Sequence, residues 1–187
     1  MTVVLTAGHS TRTAAELLAL LGAHGVERVV DVRRFPASRR HPHFSRDPLA
    51  AALAAAGIAY LHEPDLGGRR TPRPDSPHTA WRVAAFRGYA DYMETPEFGA
   101  ALARLVRLAE AERAVILCAE AVPWRCHRRL IADALVARGV EVRHILGPAA
   151  APPHELDPKA RVLPDGRLLY APGGNLRLFE GPPGTPS

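Results

Sequence analysis

The stretch "AVILCAEAVPWRCHRRLIADAL", residues 114–135, joins a strand to a helix through a short polar loop. Its first seven residues are almost all apolar, as in a parallel strand covered on both faces. The segment that begins at residue 126 has the apolar spacing of a helix. Two thiols, a carboxylate, a guanidinium and an imidazole lie around the junction: Cys118, Glu120, Arg125, Cys126 and His127. The stretch therefore predicts a strand–loop–helix unit with polar chemistry at the carboxyl end of the strand.

The same alternation runs through most of the chain. Strands are predicted at residues 2–8, 26–34, 58–63, 114–120 and 140–146. Helices are predicted at residues 10–25, 47–57, 95–112 and 126–139. Thr13 and Glu16 form a predicted capping box, while Asp47 and Thr95 are predicted N-caps. We predict an α/β fold, a mostly parallel sheet of about five strands with helices on both faces.

Two segments interrupt this alternation. Residues 66–80 are rich in Gly, Pro and Arg and predict a long loop. After residue 147 the chain becomes rich in Pro and Gly, although residues 161–170 predict a hairpin and residues 175–179 a further short strand. We therefore divide the chain into an α/β domain, residues 1–147, and a tail, residues 148–187, which is packed on the domain or appended to it.

Composition narrows the classes of function. The chain has 187 residues, of which 47% are hydrophobic, enough for a folded core. It has no apolar run of membrane-spanning length and no signal-peptide pattern at its start. Two cysteines are too few for a disulfide scaffold, so we expect a cytoplasmic protein without a membrane partner. The net charge of +5 favours an anionic partner such as a nucleotide or nucleic acid, and the oligomeric state stays open.

Polar side chains follow each of the first four predicted strands. His9 and Ser10 follow the first, Asp31 and Arg33 close the second, and Glu63 ends the third. Because ligands of open α/β sheets bind outside the carboxyl ends of the strands, we predict one pocket there. The alternative is that strand ends are polar simply because they meet water.

Five of the side chains around the predicted pocket have catalytic chemistry: His9, Asp31, Glu120, Cys126 and His127. A thiol at a helix N-terminus beside cationic groups has a lowered pKa and is nucleophilic. Structural alternatives remain open. Asp31 could pair with Arg33 or Arg34, Glu120 with a neighbouring arginine, and both cysteines could be small buried residues.

Metal and phosphate-loop motifs are missing from the sequence. Cys118, Cys126 and His127 do not have zinc-ribbon spacing, so we predict no metal and no cofactor. Neither the P-loop nor the dinucleotide glycine motif occurs. Six residues separate Cys118 from Arg125, one more than the phosphatase and sulfurtransferase loop requires.

Five runs of the chain resemble the domain of unknown function 488 family of bacteria and archaea. They are "TAGHSTRTAAELLALLGAHGVERVVDVRRFPASRR", "LGGRR", "FRGYADYMETPEF", "CAEAVPWRCHRRLIADAL" and "VRHI", within residues 5–146. The resemblance implies an α/β domain but no activity, since none is established for the family. The signature residues it implies are Gly8, His9, Ser10, Asp31, Arg33, Pro36, Ser38, Gly67, Gly68, Tyr89, Tyr92, Cys118, Glu120, Cys126, His127 and Arg128.

The favoured hypothesis is an enzyme, a hydrolase or group-transfer catalyst, that acts on a nucleotide or nucleic acid through an anion-binding pocket. Arginines would bind phosphate, and Tyr89, Tyr92, Trp81 or Trp124 would stack on a base. The predicted substrate-binding residues are Ser10, Arg33, Arg34, Ser38, Gly67, Gly68, Arg69, Tyr89, Tyr92, Cys118, Arg125 and Arg128. The alternatives are a non-catalytic nucleotide-binding or nucleic-acid-binding module and a redox protein that uses its two thiols.

Overall fold

The computed structural model describes residues 1–173, in which a five-stranded parallel sheet carries helices on both faces. The strands are β1 (Val3–Gly8), β2 (Arg28–Asp31), β3 (Ala59–His62), β4 (Ala114–Cys118) and β5 (Glu141–His144). Their order in the sheet is β3-β2-β4-β1-β5. The helices are α1 (Ala14–Ala23), α2 (Arg46–Ala55), α3 (Ala84–Tyr92), α4 (Pro96–Ala111) and α5 (Arg128–Val136). The predicted α/β fold is confirmed.

Each face of the sheet closes its own hydrophobic core. Because successive strand residues point to opposite faces, Val115 and Leu117 of β4 pack with the apolar residues of α1 and α2. Ile116 and Cys118 pack with those of α3, α4 and α5. A strand buried on both sides needs the unbroken apolar sequence seen in β4.

The helix starts agree with the local signals in two cases and differ in a third. The backbone N–H of Glu16 donates to Thr13 Oγ1 at 3.1 Å and completes the predicted capping box. The backbone N–H of Phe98 donates to Thr95 Oγ1 at 3.3 Å. The prediction for α2 was wrong, since its N-cap is Ser45 and Asp47 lies in the first turn. A carboxylate is also favourable there, next to the positive end of the helix dipole, so the sequence signal was displaced by two residues.

Two other boundaries depend on tertiary contacts. No helix was predicted at residues 84–92, where α3 follows Val83, an apolar residue that cannot cap. Gly88 lets α3 pack on the preceding loop, since a Cβ there would lie 2.4 Å from the carbonyl oxygen of Arg70. The predicted start of the last helix, α5, at Cys126 was also wrong. A 3-10 turn precedes Cys126, which is extended, and α5 begins at Arg128.

The C-terminal part of the described chain folds back onto α5. Strands β6 (Ala160–Val162) and β7 (Leu168–Tyr170) form the predicted antiparallel hairpin, with Gly166 at φ +80° in its turn. The Tyr170 hydroxyl is buried and donates to Asp133 Oδ2 at 2.8 Å. The strand predicted at residues 175–179 lies outside the described residues. None of the helices within residues 1–173 has the length and apolar character needed to cross a bilayer.

A buried chain of hydrogen bonds ties β1, β5 and the C-terminal segment to α5. His154 Nε2 lies 2.8 Å from Asp133 Oδ1, and because a carboxylate only accepts, Nε2 carries the proton. His154 Nδ1 then accepts from His144 Nε2 at 2.9 Å, and His144 Nδ1 accepts from the Thr6 hydroxyl at 2.8 Å. Arg128 Nη1 donates to Thr6 Oγ1 at 3.4 Å. Both imidazoles are neutral in this arrangement.

This chain of bonds predicts a loss of stability in mild acid. Burial lowers the pKa of His144 from 6.5 to about 4, and the positive charge of Arg128 contributes. Between these two pH values the unfolded chain takes up a proton that the folded protein does not. The free energy of unfolding should therefore fall as pH is lowered through this window, by up to about 3 kcal/mol from His144.

Urea denaturation between pH 7 and pH 4 would measure this slope. The variant His144→Asn should make this slope shallower and leave the part that comes from His9 and His78, whose pKa values burial also lowers. His24→Asn, which changes a histidine at the end of α1, should leave the slope unchanged. An unchanged slope in His144→Asn would contradict the contribution of His144 to the pH dependence of stability.

Candidate active site

A pocket of about 330 Å³ opens at the carboxyl ends of β1, β2 and β4. The connection after β2 runs through α2 to β3, whereas the connection after β4 runs through α5 and past β1 to β5. These two connections leave neighbouring strands in opposite directions and diverge between β2 and β4, which is where ligands bind in such sheets. The lining residues are His9, Arg33, Arg34, Phe35, Ala37, Ser38, Gly68, Arg69, Ala85, Phe86, Cys118, Ala119, Glu120, Arg125, Cys126 and His127.

The floor of the pocket is formed by Cys118, Cys126 and His127, which we call the floor cluster. Cys118 ends β4, whereas the other two residues lead into α5. His127 Nδ1 lies 4.0 Å from Cys118 Sγ and 3.6 Å from Cys126 Sγ. His127 Nε2 lies 3.2 Å from the carbonyl oxygen of Val32, which only accepts, so Nε2 carries the proton. The lone pair of Nδ1 therefore faces the two sulfur atoms.

The pKa values of the two thiols are shifted in opposite directions. A hydrogen bond from Cys118 holds the pKa of Cys126 well below its ordinary value, and the positive charge of Arg128 contributes. The same hydrogen bond to Cys126, together with burial, raises the pKa of Cys118 well above its ordinary value. Cys126 is thus the more acidic thiol of the pair.

Arg128 places a positive charge beneath the floor cluster. Its side chain is 1% exposed and donates to the carbonyl oxygen of Glu120 as well as to Thr6. Within residues 1–173 no carboxylate lies within 4.0 Å of its guanidinium, and its Nε has no hydrogen-bond partner there. A buried cation without a carboxylate favours negative charge in its surroundings.

Asp31 lies behind the pocket and not in its lining. Its side chain is 0% exposed. Its two oxygens accept from Arg33 Nε at 2.9 Å and from Arg33 Nη2 at 2.6 Å. The Tyr60 hydroxyl donates to Asp31 Oδ2 at 2.7 Å. The geometry favours the structural alternative for Asp31, a buried ion pair that positions Arg33 in the wall.

His9 is held in the wall by both ring nitrogens. Its Nδ1 lies 3.0 Å from the carbonyl oxygen of Ser10 and therefore carries the proton, while Nε2 accepts from Arg33 Nη1 at 3.4 Å. Burial lowers the pKa of His9 to about 4, and the charge of Arg33 contributes. His9 is therefore neutral, and its lone pair is already used by Arg33. This geometry suits a wall residue better than a general base.

The mouth of the pocket carries positive charge and an exposed aromatic ring. The guanidinium carbons of Arg34 and Arg69 lie 5.6 and 6.0 Å from the centroid of Phe35, which is 62% exposed. Arg34 Nη1 donates to the carbonyl oxygen of Arg69 at 3.0 Å. Within the described chain the side chains of Arg69, Arg125 and Glu120 have no hydrogen bond or ion pair, so the alternative in which Glu120 pairs with an arginine is not seen.

Several predicted residues support the pocket without lining it. Tyr89 is buried, its hydroxyl donates to the carbonyl oxygen of Leu66 at 2.7 Å, and its ring centroid lies 5.1 Å from that of His127. Gly67 allows a close backbone approach, since a Cβ there would lie 2.8 Å from Cα of Arg34. The predicted residues that do not line the pocket are Ser10, Asp31, Gly67, Tyr89, Tyr92 and Arg128.

The sequence hypotheses missed the aromatic residues that do line the pocket, Phe35 and Phe86. Tyr89 and Trp81 are buried, and Arg70 covers the ring of Tyr92 with its guanidinium carbon 3.5 Å from the centroid. The run "RRFP", residues 33–36, could have indicated Phe35 as a pocket residue. An aromatic residue that follows two arginines in a polar loop is not expected to pack in the hydrophobic core.

The fold and the pocket define an α/β protein with a pocket at the switch point of a parallel sheet. The chain belongs to the family described as Domain of unknown function DUF488, whose family model matches residues 13–135. This confirms the resemblance seen in the sequence. Comparison with the curated proteins and with the solved structures gave no match.

Proposed function

We propose that the protein is an enzyme that hydrolyses or transfers a group on a nucleotide or nucleic-acid substrate bound in this pocket. One observation carries the proposal. Arg34, Arg69 and Arg125 surround a pocket that also contains the carboxylate of Glu120, which has no partner among residues 1–173, and, at its floor, two thiols and an imidazole. Cations at the mouth and titratable groups in the interior are the combination expected of a site that acts on an anion.

The mouth suits a nucleotide better than a simple anion. Each guanidinium group can donate two parallel hydrogen bonds to the oxygens of one phosphate. The faces of Phe35 and Phe86 can stack on a base. The pocket volume of about 330 Å³ is at the lower end of the range for small-molecule sites, which is about 300–1,000 Å³. One nucleotide, or the end of a strand, therefore fits better than a duplex.

Glu120 is the residue we assign as general base. Its carboxylate is exposed to the pocket and, within residues 1–173, has no cationic partner that would hold it. It would take the proton of the attacking water or acceptor hydroxyl as that oxygen bonds to phosphorus. The leaving oxygen departs with the electrons of the broken P–O bond, and the arginines stabilise its charge.

Binding of a fluorescent nucleotide and of a short single-stranded oligonucleotide would test whether the arginines at the mouth of the pocket bind phosphate. Arg69→Ala and Arg125→Ala should each weaken binding by about 10-fold to 100-fold, because each removes charge-assisted hydrogen bonds to phosphate. Arg107→Ala is the matched control, since it removes the same charge from the exposed face of α4, away from the pocket. Equal effects of all three substitutions would contradict the proposal.

Turnover of a nucleotide panel by the same variants separates an enzyme from a binding module. Glu120→Gln should keep nucleotide affinity and lose activity by about 10²-fold to 10⁴-fold, the usual contribution of a general base. Binding by the wild-type protein with no turnover on the panel would favour the non-catalytic module.

A further inference from the structure

The floor cluster brings three metal-ligating side chains to one point. The two sulfur atoms and one imidazole nitrogen of Cys118, Cys126 and His127 all lie within 4.8 Å of one another. All three residues line the pocket, so the point they surround is next to the space available to a ligand. The donors come from a strand end and from the loop before a helix, which is why their sequence spacing resembles no zinc motif.

The spacing of the donor atoms is close to that of a tetrahedral site. With metal–sulfur bonds of about 2.3 Å and metal–nitrogen bonds of about 2.0 Å, the ligand atoms of such a site lie about 3.5–3.8 Å apart. His127 Nδ1 lies 3.6 and 4.0 Å from the two sulfur atoms. The two sulfur–nitrogen distances would therefore need to change by a few tenths of an ångström to bind an ion, and the two sulfur atoms, which lie within 4.8 Å of each other, by up to about 1 Å.

The imidazole is already in the tautomer that metal binding needs. A ligating histidine usually donates its other N–H to a carbonyl or carboxylate, which orients the ring. His127 Nε2 does this with the carbonyl oxygen of Val32, and its Nδ1 is left with a lone pair directed at the sulfur atoms. The ring is further held by Tyr89 and by Gly68, where a Cβ would lie 2.9 Å from Nδ1.

We propose that Cys118, Cys126 and His127 bind one zinc-type divalent cation, with its fourth coordination position open to the pocket. Two sulfur ligands and one imidazole select zinc over magnesium or calcium, which prefer oxygen. Three protein ligands and an open position are the pattern of catalytic zinc sites, whereas structural sites have four. The proposal replaces the expectation of no metal drawn from the sequence spacing.

The surrounding charge suits an anionic fourth ligand. Two thiolates balance a divalent ion, and Arg128 then leaves one buried positive charge beside the site. A hydroxide or a phosphate oxygen in the open position would balance that charge. In the proposed enzyme, the cation would polarise a phosphoryl oxygen of the substrate or supply the attacking hydroxide. This catalytic role depends on the proposed function, while binding of the cation does not.

Cobalt provides a direct test on the wild-type protein. The chain is stripped with a chelator and titrated with Co²⁺ under reducing conditions. We expect one equivalent to bind, with a thiolate-to-cobalt charge-transfer band and the visible bands of tetrahedral cobalt. One equivalent of Zn²⁺ should abolish these bands. Titration without a charge-transfer band would overturn the proposal without any need for a variant.

Substitutions assign the ligands. Cys118→Ser and Cys126→Ser should each weaken Zn²⁺ binding by about 100-fold or more, since loss of an outer-shell partner alone costs about 10-fold to 100-fold. His24→Gln, at the end of α1, is the control and should bind normally. Zn²⁺ binding that is unchanged in both cysteine variants would mean an adventitious ion only and would overturn the proposal.

Gly68→Ala tests the geometry with all three ligands intact. The added methyl group would press on His127 Nδ1 and should lower Zn²⁺ affinity about 10-fold, as loss of an orienting partner does. Gly22→Ala, where a Cβ meets no described atom within 4 Å, should have no effect.

The rival use of the two thiols is a disulfide. Rapid formation of a Cys118–Cys126 disulfide under mild oxidation, even with one equivalent of Zn²⁺ present, would overturn the metal site and favour redox chemistry. None of these measurements contains a nucleotide. Failure of the metal site and failure of the anion site therefore show up separately, since Arg69→Ala and Arg125→Ala should bind Zn²⁺ normally.

Discussion

Asp31→Ala is expected to lower the free energy of unfolding by about 3–5 kcal/mol, the usual cost of breaking a buried ion pair. Arg33 is 7% exposed and makes two hydrogen bonds to the Asp31 carboxylate, so the variant would leave a buried guanidinium without its counter-charge. It would also leave the Tyr60 hydroxyl without its acceptor. Chemical denaturation monitored by circular dichroism would measure the loss.

Glu112→Ala is the matched control for this prediction. Glu112 also binds an arginine through two hydrogen bonds, from Arg28 Nε and Nη2, but this pair lies at the surface. Water replaces a lost surface partner, so the expected loss of stability is much smaller than that of Asp31→Ala. Similar losses in the two variants would mean that burial of the Asp31–Arg33 pair does not determine its contribution.

The outcome also bears on the role of Asp31. A large loss of stability supports its structural role in positioning Arg33 in the pocket wall. A variant that folds normally but loses turnover would restore Asp31 to the catalytic set predicted from the sequence.

Gly8→Ala is expected to lower the free energy of unfolding by about 3 kcal/mol or more, because the added methyl group meets backbone and not a mobile side chain. A Cβ on Gly8 would lie 1.7 Å from the carbonyl oxygen of Glu120 and 3.0 Å from Cα of Ala121. The end of β1 is also tied to the loop after β4, since the backbone N–H of His9 donates to the carbonyl oxygen of Cys118 at 3.0 Å. The clash cannot be relieved without moving that loop.

Gly22→Ala separates this steric effect from the general effect of replacing glycine. Gly22 lies in α1, where alanine has the higher helix propensity, and a Cβ there meets no atom of residues 1–173 within 4 Å. That substitution should stabilise the protein by up to about 1 kcal/mol. A Gly8→Ala variant of wild-type stability would show that the loop after β4 can move, and the pocket wall with it.

The pocket and the buried network behind it meet at Arg128. One nitrogen of its guanidinium donates to the loop that carries Glu120, and another donates to Thr6, which continues through His144 and His154 to Asp133. The C-terminal hairpin joins the same network through Tyr170. The stability of the C-terminal segment and the position of the pocket wall are therefore linked through one buried side chain.

Much of the fold could be predicted from residues that are close together in the sequence. The apolar run of β4 predicted a strand buried on both faces, and the box of Thr13 and Glu16 predicted the start of α1. The alternation of the two patterns predicted the parallel sheet, and the rule for such sheets predicted where the pocket lies. Eleven of the predicted site residues line that pocket: His9, Arg33, Arg34, Ser38, Gly68, Arg69, Cys118, Glu120, Arg125, Cys126 and His127.

What each of these side chains does was decided by the tertiary structure. Asp31 and Arg33 could both have faced a substrate, but burial favours the ion pair between them. Cys118 and His127 are nine residues apart in the chain, and only the approach of α5 to the end of β4 aligns their donor atoms. Periodicity and capping depend on neighbours within about one helical turn, so the sequence determined every strand of the parallel sheet, every helix except α3, and the edge of the sheet at which the pocket lies. Charge pairing and ligand geometry depend on atoms brought together across the sheet, so only the folded chain determined the chemistry of the site.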